Sequence, residues 1–436
     1  MTETRAAART RAPRFRLPRR PRLLGPLGLL VVAALVLVWL TVPGDERQDR
    51  DDRGADACRP LAVTGWQPDR RTTGEFTRYG NDNTRLDDWT GGDGSRSVRL
   101  PDGRTLWLSA DTFLDRVHGG RSRDERPVWV RNAALVMDED GRLERTVLGA
   151  GPGALFPGLA AADGREVWRW PVQAVVEPRT PGAEEQVVRV LLWQREAGSG
   201  EWVYGVPRAT EVATLSLPDL AVESITPVDT PEDADPARRV LYGTAAVRSG
   251  GWTYVFGADE GTARGGASGA HVARVPPGRL ADPSAWRWWD GSRWQREAAR
   301  SAELPVGPDE ARGASNTYTV VRRGGTWLLL TTDAGGPDGR GLTTVTSYWS
   351  CSPQGPWRGP SDVLEPPLPP GGEAAGAAPY NPQAHPALDA PDGGDPPREL
   401  VLSYDVNVPE SVAAVQRDVA LYRPRFVRLE LGRPGE

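Results

Sequence analysis

LWLSAD (106–111), RVLLWQ (189–194), YVFGAD (254–259), WLLLTTD (327–333) and LVLSYD (400–405) are five versions of one phrase, an apolar run with an aromatic that stops at a polar residue. They recur at a spacing of ~60–85 residues, the self-similarity that marks a β-propeller. Before each phrase, across a Gly-rich turn, stands a second strand-like segment: GGDGSRSVRL (91–100), VWRWPVQAVV (167–176), VLYGTAAVRS (240–249), SNTYTVVRR (315–323) and NPQAHPAL (381–388). PDGR, RSGG and RRGG between them are hairpin turns. Each pair is read as the first two strands of a blade.

Working outward, VWVRNAALVMD (128–138), HVARVPP, TTVTSYWSCS (343–352) and VALYRPRFVRLEL (419–431) supply later strands. Nothing after the fifth blade's third strand remains for a fourth, and PLAVTGW (60–66) is expected to fill that place and close the ring, removing two exposed sheet edges. The expected blades are 87–150, 166–228, 238–297, 314–365 and 380–431 plus 60–66. Helical periodicity is nearly absent over 59–436, and 50 glycines with 41 prolines suit a chain rich in turns. The fold expected is all-β, a five-bladed β-propeller.

The N-terminus reads differently. Residues 1–22 carry eight arginines against Glu3, and 23–42 run apolar and uncharged for about 30 Å of helix. This is expected to be a transmembrane signal-anchor over 23–43, with a basic cytoplasmic tail at 1–22 and a charged linker at 44–58. A cleaved signal peptide would have a shorter apolar stretch and a small-residue site close behind it, where GDERQDRDDR stands instead. The charge bias keeps the N-terminus cytoplasmic and places the C-terminal domain outside the cell, on a single-pass chain in the cell membrane.

The chain carries −5 in all and its first 22 residues +7, so the rest carries −12. An acidic domain does not track a phosphate backbone, which excludes nucleic acid as a partner. Three histidines, without metal-ligand spacing, exclude a His-rich metal centre, and no cofactor or metal is expected. Cys58 and Cys351 are the only cysteines, both beyond the anchor where disulfides persist. Paired, they would clip the closing strand to the blade before it.

In propellers the first strand of each blade lines a central funnel, and the long loops leading into those strands share one face. The loops here are 72–89, 151–166, 227–238, 298–314 and 361–379. The residues on offer are Asp87, Asp88, Trp89 and Asp93; Trp168, Trp170 and Gln173; Tyr242 and Thr244; Asn316 and Tyr318; and Asn381, Gln383 and His385. Alternation along a strand puts Trp168 with Trp170, Asn316 with Tyr318, and Gln383 with His385 on common faces. Carboxylates, amides, an imidazole and indoles form the set that sugar recognition needs, with hydrogen bonds for hydroxyls and flat apolar faces for ring C–H edges. Asp111, Asp259, Asp333 and Asp405 end four of the phrases. A residue repeated in four blades is expected to serve the repeat. Asp93 has no counterpart and is the candidate general base.

DDWTGGDGSRSVRLPDGRTLWLSADTF (87–113) resembles the opening of secreted bacterial five-bladed propeller domains of unknown function, which are similar to the arabinanase/xylosidase clan of glycoside hydrolases. ASNTYTVV, YNPQAHPAL and LVLSYDVN resemble later blades, so the likeness spans about 65–431. The resemblance implies a carboxylate base in the first blade, matched by Asp93 or Asp88. It also implies a second carboxylate in the next blade, where the inner strand offers only Glu177, and a glutamate acid in the third. VLYGTAAVRS has no acid, leaving Glu166, Glu303, Asp309 or Glu310 from loops. The function expected is binding, with or without hydrolysis, of cell-envelope or environmental glycans in the funnel. The alternatives are a protein-interaction scaffold at the cell surface and a hydrolase or lyase of other small polar ligands.

Overall fold

The structure is a computed structural model. It describes residues 58–434 apart from 125, 152, 162, 203, 229–234, 261–267, 308–313, 316, 333–342 and 390–397. The expected tail, membrane span and nearly all of the linker, together with Asn316, Asp309, Glu310 and Asp333, lie outside the described residues. Among those described, no helix is long and apolar enough to cross a membrane.

Among the described residues, five antiparallel sheets of four or five strands follow one another along the chain. Their first two strands are Arg96–Arg99 with Thr105–Ser109, Glu166–Pro178 with Gln186–Glu196, Leu241–Ser249 with Trp252–Ala258, Thr319–Arg323 with Thr326–Thr332, and Ala378–Ala384 with Glu399–Asn407. The outer strand of the fifth sheet is Ala62–Pro68, paired with Arg425–Gly432.

The phrase is a continuous apolar run because its strand is central and covered on both faces. Side chains alternate between the two neighbouring sheets. Leu106 and Leu108 share a core with Val188, Val190 and Leu192 of the second sheet. Trp107, between them, packs with Val401 and Phe426 of the fifth. Leu191 and Trp193 turn to the third sheet. Tyr254 and Phe256 meet Trp327 and Leu329 of the fourth. Leu328 and Leu330 meet Leu400 and Leu402 of the fifth. Five shared cores thus join each sheet to the next and the fifth to the first, which makes the domain a β-propeller.

The disulfide Cys58–Cys351 is formed, with Cα atoms 5.5 Å apart. Beside it the Arg59 amide donates to Thr326 Oγ1 at 3.1 Å, and that hydroxyl donates to the Arg59 carbonyl at 2.7 Å. The closing strand is therefore held covalently and by hydrogen bonds to the fourth sheet.

One expected loop is instead mainly helical. Arg70–Gly80 forms an α-helix capped by Asp69, whose carboxylate accepts from the Thr72 amide at 3.0 Å. Its RRTTGEFTRYG sequence has little helix propensity. Tertiary anchoring makes up for this, since Phe76 packs edge-on against Trp89 and Trp107, with centroids 5.6 and 5.0 Å away.

Candidate functional site

Asp93 lies in the turn before the first sheet's inner strand. Its amide donates to the Asp111 carbonyl at 3.3 Å and its carbonyl accepts from Ala110 at 2.8 Å, so Asp93 and the end of the first phrase are backbone neighbours. Gly94 follows with φ +66°, and a Cβ there would stand 2.9 Å from that of Ala110. Only glycine fits. The turn aims the Gly94 amide at Asp405 Oδ2, 2.7 Å away, which draws the end of the fifth phrase to the same place.

The fifth sheet adds two consecutive side chains. A register shift between Tyr380 and Gln383 breaks the alternation of Ala378–Ala384, and Asn381 takes a left-handed φ of 51°. The Tyr380 hydroxyl donates to Asp93 Oδ2 at 2.6 Å, and Asn381 Nδ2 donates to Asp405 Oδ2 at 3.1 Å. Tyr422 sets a second hydroxyl near Asp93 that favours its ionised form. Even so, Asp93 Oδ1 and Asp405 Oδ1 make no hydrogen bond of normal geometry among the described residues.

Burial pushes all three carboxyls up. Asp93 rises through desolvation against the two hydroxyls and Arg96, which oppose it. Asp111 is pushed up to about 7 by burial and then by Asp93, with the Trp170 N–H and Arg131 opposing. Asp405 is also pushed up to about 7, by burial and by Asp93, against the Gly94 amide, Asn381 and Arg96. Arg96 is buried beside Asp93 and Asp405, with Nε donating to the Val172 carbonyl at 3.0 Å. Burial brings it down to about 10. Burial and mutual repulsion oppose the ionisation of all three acids together, with Arg96 and Arg131 acting against them.

The second sheet forms the adjoining wall. Half-buried Trp170 donates from Nε1 to Asp111 Oδ1 at 3.0 Å. Arg131 reaches Asp111 Oδ2 at 3.7 Å and is held bidentately by Glu166 at 2.8 and 2.7 Å. Trp168 and Trp170 do share a face, with centroids 5.7 Å apart. Asp93, Asp111, Trp170, Tyr380 and Asn381 each keep some exposure, so solvent reaches the cluster.

Several residues chosen from sequence lie elsewhere. Asp88 is buried against the helix and accepts from the Tyr79 hydroxyl at 2.9 Å, while Asp87 pairs with Arg85. Trp89 is a core residue behind Gly92. Tyr318 is fully buried between the third and fourth sheets, its hydroxyl donating to the Gly257 carbonyl at 2.8 Å. Gln383 is fully buried and donates to the Tyr318 carbonyl at 3.3 Å. His385 is buried between Ser97 and Ser403, 2.9 and 2.7 Å away, against Trp107. Tyr242 and Thr244 are buried likewise. For Trp89, Tyr242, Thr244, Tyr318, Gln383 and His385 the ligand-binding expectation gives way to burial in the packing, and for Asp88 to its bond with Tyr79. Gln173 is half-buried and its Oε1 accepts from the Ala174 amide at 2.8 Å, so that atom is engaged locally.

Glu177 is also structural, accepting from the Gly278 and Leu280 amides at 2.7 and 3.1 Å. Glu303 is exposed. Of the repeated aspartates, Asp259 serves its turn by accepting from the Gly269 amide at 2.8 Å, whereas Asp111 and Asp405 join Asp93. Sequence reasoning missed those two, and also Arg96, Arg131, Tyr380 and Tyr422. The signal available for the aspartates was the repeat itself, since equivalent strand ends in a closed ring all face one side. Among the described residues, no group of three or more His, Cys, Asp or Glu is placed to hold a metal ion.

Fold and site together define a propeller with a solvent-reaching, proton-sharing carboxylate cluster where its strands end. The same fold occurs in a Bacteroides ovatus protein described as a candidate hydrolase, 17% identical, with a TM-score of 0.60 over 84% of this chain and 93% of that one. The chain belongs to the family described as Domain of unknown function (DUF5005), which matches residues 75–431. More distant structural likenesses include a Halalkalicoccus jeotgali inulosucrase bound to kestose (14% identity, TM-score 0.46, 88% and 92% coverage). Another is a GH43_1 enzyme of Xanthomonas citri complexed with xylotriose (13% identity, TM-score 0.43, 80% and 90% coverage). No curated protein sequence matches the chain.

Proposed function

We propose that this is a five-bladed propeller, anchored in the membrane by residues 23–43 with its domain outside the cell, that binds glycans and hydrolyses a glycosidic bond at the Asp93–Asp111–Asp405 cluster. The observation that carries the reading is the placement of a carboxyl at about 7, Asp111, between a second carboxylate and the half-exposed indole of Trp170. Glycoside hydrolysis needs one acid to protonate the leaving oxygen and a carboxylate to activate water or attack the sugar. Asp111 is half-protonated near neutrality and faces solvent, which suits the donor. Asp93 suits the base once the cluster's proton sits on a neighbouring carboxyl, because the Tyr380 and Tyr422 hydroxyls favour its charge against the burial that pushes it up. Buried Asp405 helps keep the Tyr380 and Tyr422 hydroxyls protonated beside Asp93, and Trp170 offers an apolar face to the sugar ring.

One observation favours binding without turnover: Leu241–Ser249 brings no carboxylate to the site from the third sheet. The two readings part in one experiment, in which the purified protein is tested for binding on a glycan array and for release of sugar from each glycan bound. Turnover that falls about 100-fold or more in both Asp93→Asn and Asp111→Asn supports hydrolysis. Binding without release leaves a lectin-like protein, and binding of no glycan refutes the proposal.

A further inference from the structure

The indole of Trp129 is 41% exposed, on a strand pair whose register sets it opposite Phe113, two residues beyond Asp111. An exposed tryptophan alone means little. This one is immobilised. The Arg131 guanidinium lies 4.4 Å from its ring centre and 4.1 Å from that of Trp168, a cation between two indoles. Glu166 fixes the same guanidinium bidentately, and its remaining edge reaches Asp111. A flat apolar surface is thus pinned one guanidinium away from the candidate proton donor, with its uncovered side toward solvent.

We propose that Trp129 is a platform for a second sugar unit, so that the site takes an oligosaccharide chain lying across Asp111 and Trp129 rather than a single sugar. The inference rests on the glycan reading above and extends it to the size of the ligand. The chemistry is that of ring stacking. The axial C–H edge of a pyranose or furanose covers an indole face, and because the stack below has already fixed the indole, little ordering remains to oppose binding. Continuity with the cluster runs through Arg131, which touches both the platform and Asp111.

The test is calorimetric titration of the full chain with cello-, xylo- and arabino-oligosaccharides of one to six units. Wild type is compared with Trp129→Phe, which keeps a flat ring, and Trp129→Leu, which keeps only apolar bulk over Arg131. Affinity is expected to rise from one unit to two or three in wild type. The rise should be largely kept in Trp129→Phe and reduced about three- to tenfold in Trp129→Leu. Equal length profiles in Leu, Phe and wild type overturn the platform while leaving the glycan reading intact. If wild type binds no member of any series the platform is overturned, and the glycan reading is decided by the array described above.

Discussion

Replacing Asp405 by Asn should make the folded protein more stable at pH 8.5 while leaving it nearly unchanged at pH 4.5. Unfolded, Asp405 loses its proton near its ordinary 3.8, whereas folded it keeps the proton to about 7. Between those values the native state binds more protons than the unfolded chain, so the contribution of this group to stability declines as pH rises, until it levels off above 7. The gap corresponds to about 4 kcal/mol at most. Asp405 is only 2% exposed, so solvent does little to reduce that figure. In the variant the amide oxygen can still accept from Gly94 and Asn381, and the NH2 takes the place of Oδ1, which has no partner among the described residues. Urea unfolding followed by tryptophan fluorescence at pH 4.5, 6, 7 and 8.5 gives the difference between variant and wild type. The expected difference is within about 1 kcal/mol at the acid end and grows to several kcal/mol in favour of the variant at the alkaline end. The pH profile of any hydrolysis should also move to lower pH, because Asp93 loses a neighbouring charge. A difference that stays flat with pH refutes the claim that these carboxyls hold protons at neutrality.

Reducing the Cys58–Cys351 bridge, or replacing both cysteines by serine, should lower stability by about 2–4 kcal/mol, read as a fall in the urea midpoint; adding dithiothreitol should lower the midpoint of the wild type and leave that of the serine variant unchanged. Gly94→Ala must adopt φ +66° with its Cβ 2.9 Å from Ala110. A cost of about 1–3 kcal/mol is expected, with weakened glycan binding because the amide that holds Asp405 shifts. Burial brings His385 down to about 3, so its ring stays neutral in the native protein. Its NMR resonances should not titrate between pH 5 and 8, and a midpoint near 6.5 would contradict the packing described.

Much of the architecture was legible in the sequence. The phrase is readable because a central propeller strand is buried on both sides, and burial on both sides demands an unbroken apolar run. The helix Arg70–Gly80 was not, since Phe76 and Tyr79 are its only apolar anchors and its stability comes from the pocket between Trp89, Trp107 and Phe426. The site was half legible. Asp93 stood out as unique, but Asp111 and Asp405 were hidden by their likeness to Asp259, which does serve its turn. Likeness in sequence marks an equivalent position, and the use made of that position depends on what the neighbouring sheet brings. The bulge before Gln383 that turns Tyr380 and Asn381 inward left no local mark. Neither did the partners of Trp89, Tyr318 and His385, which lie far away in the sequence: Phe426, Gly257 and Ser97.

These outcomes share a physical cause. In a ring of sheets, regular alternation commits every strand residue to one neighbouring sheet or the other, as Leu328 and Leu329 show by facing opposite cores. Most side chains of a regular strand are therefore taken up by packing. Much of the candidate site is built where that regularity stops. Gly94 and Asn381 have left-handed backbone, the strand Ala378–Ala384 is bulged, and Asp111 and Asp405 stand where their apolar runs give out. Each departure costs stability: about 1–3 kcal/mol for a strained non-glycine residue such as Asn381, and up to about 4 kcal/mol for a carboxyl held at about 7. Departures of that size persist together only when the surrounding structure enforces them, here through five closed cores and a disulfide at the seam. That Tyr380, Asn381 and Gly94 all direct a donor at the same pair of aspartates is the reason to regard the cluster as a site and not as an accident of closure.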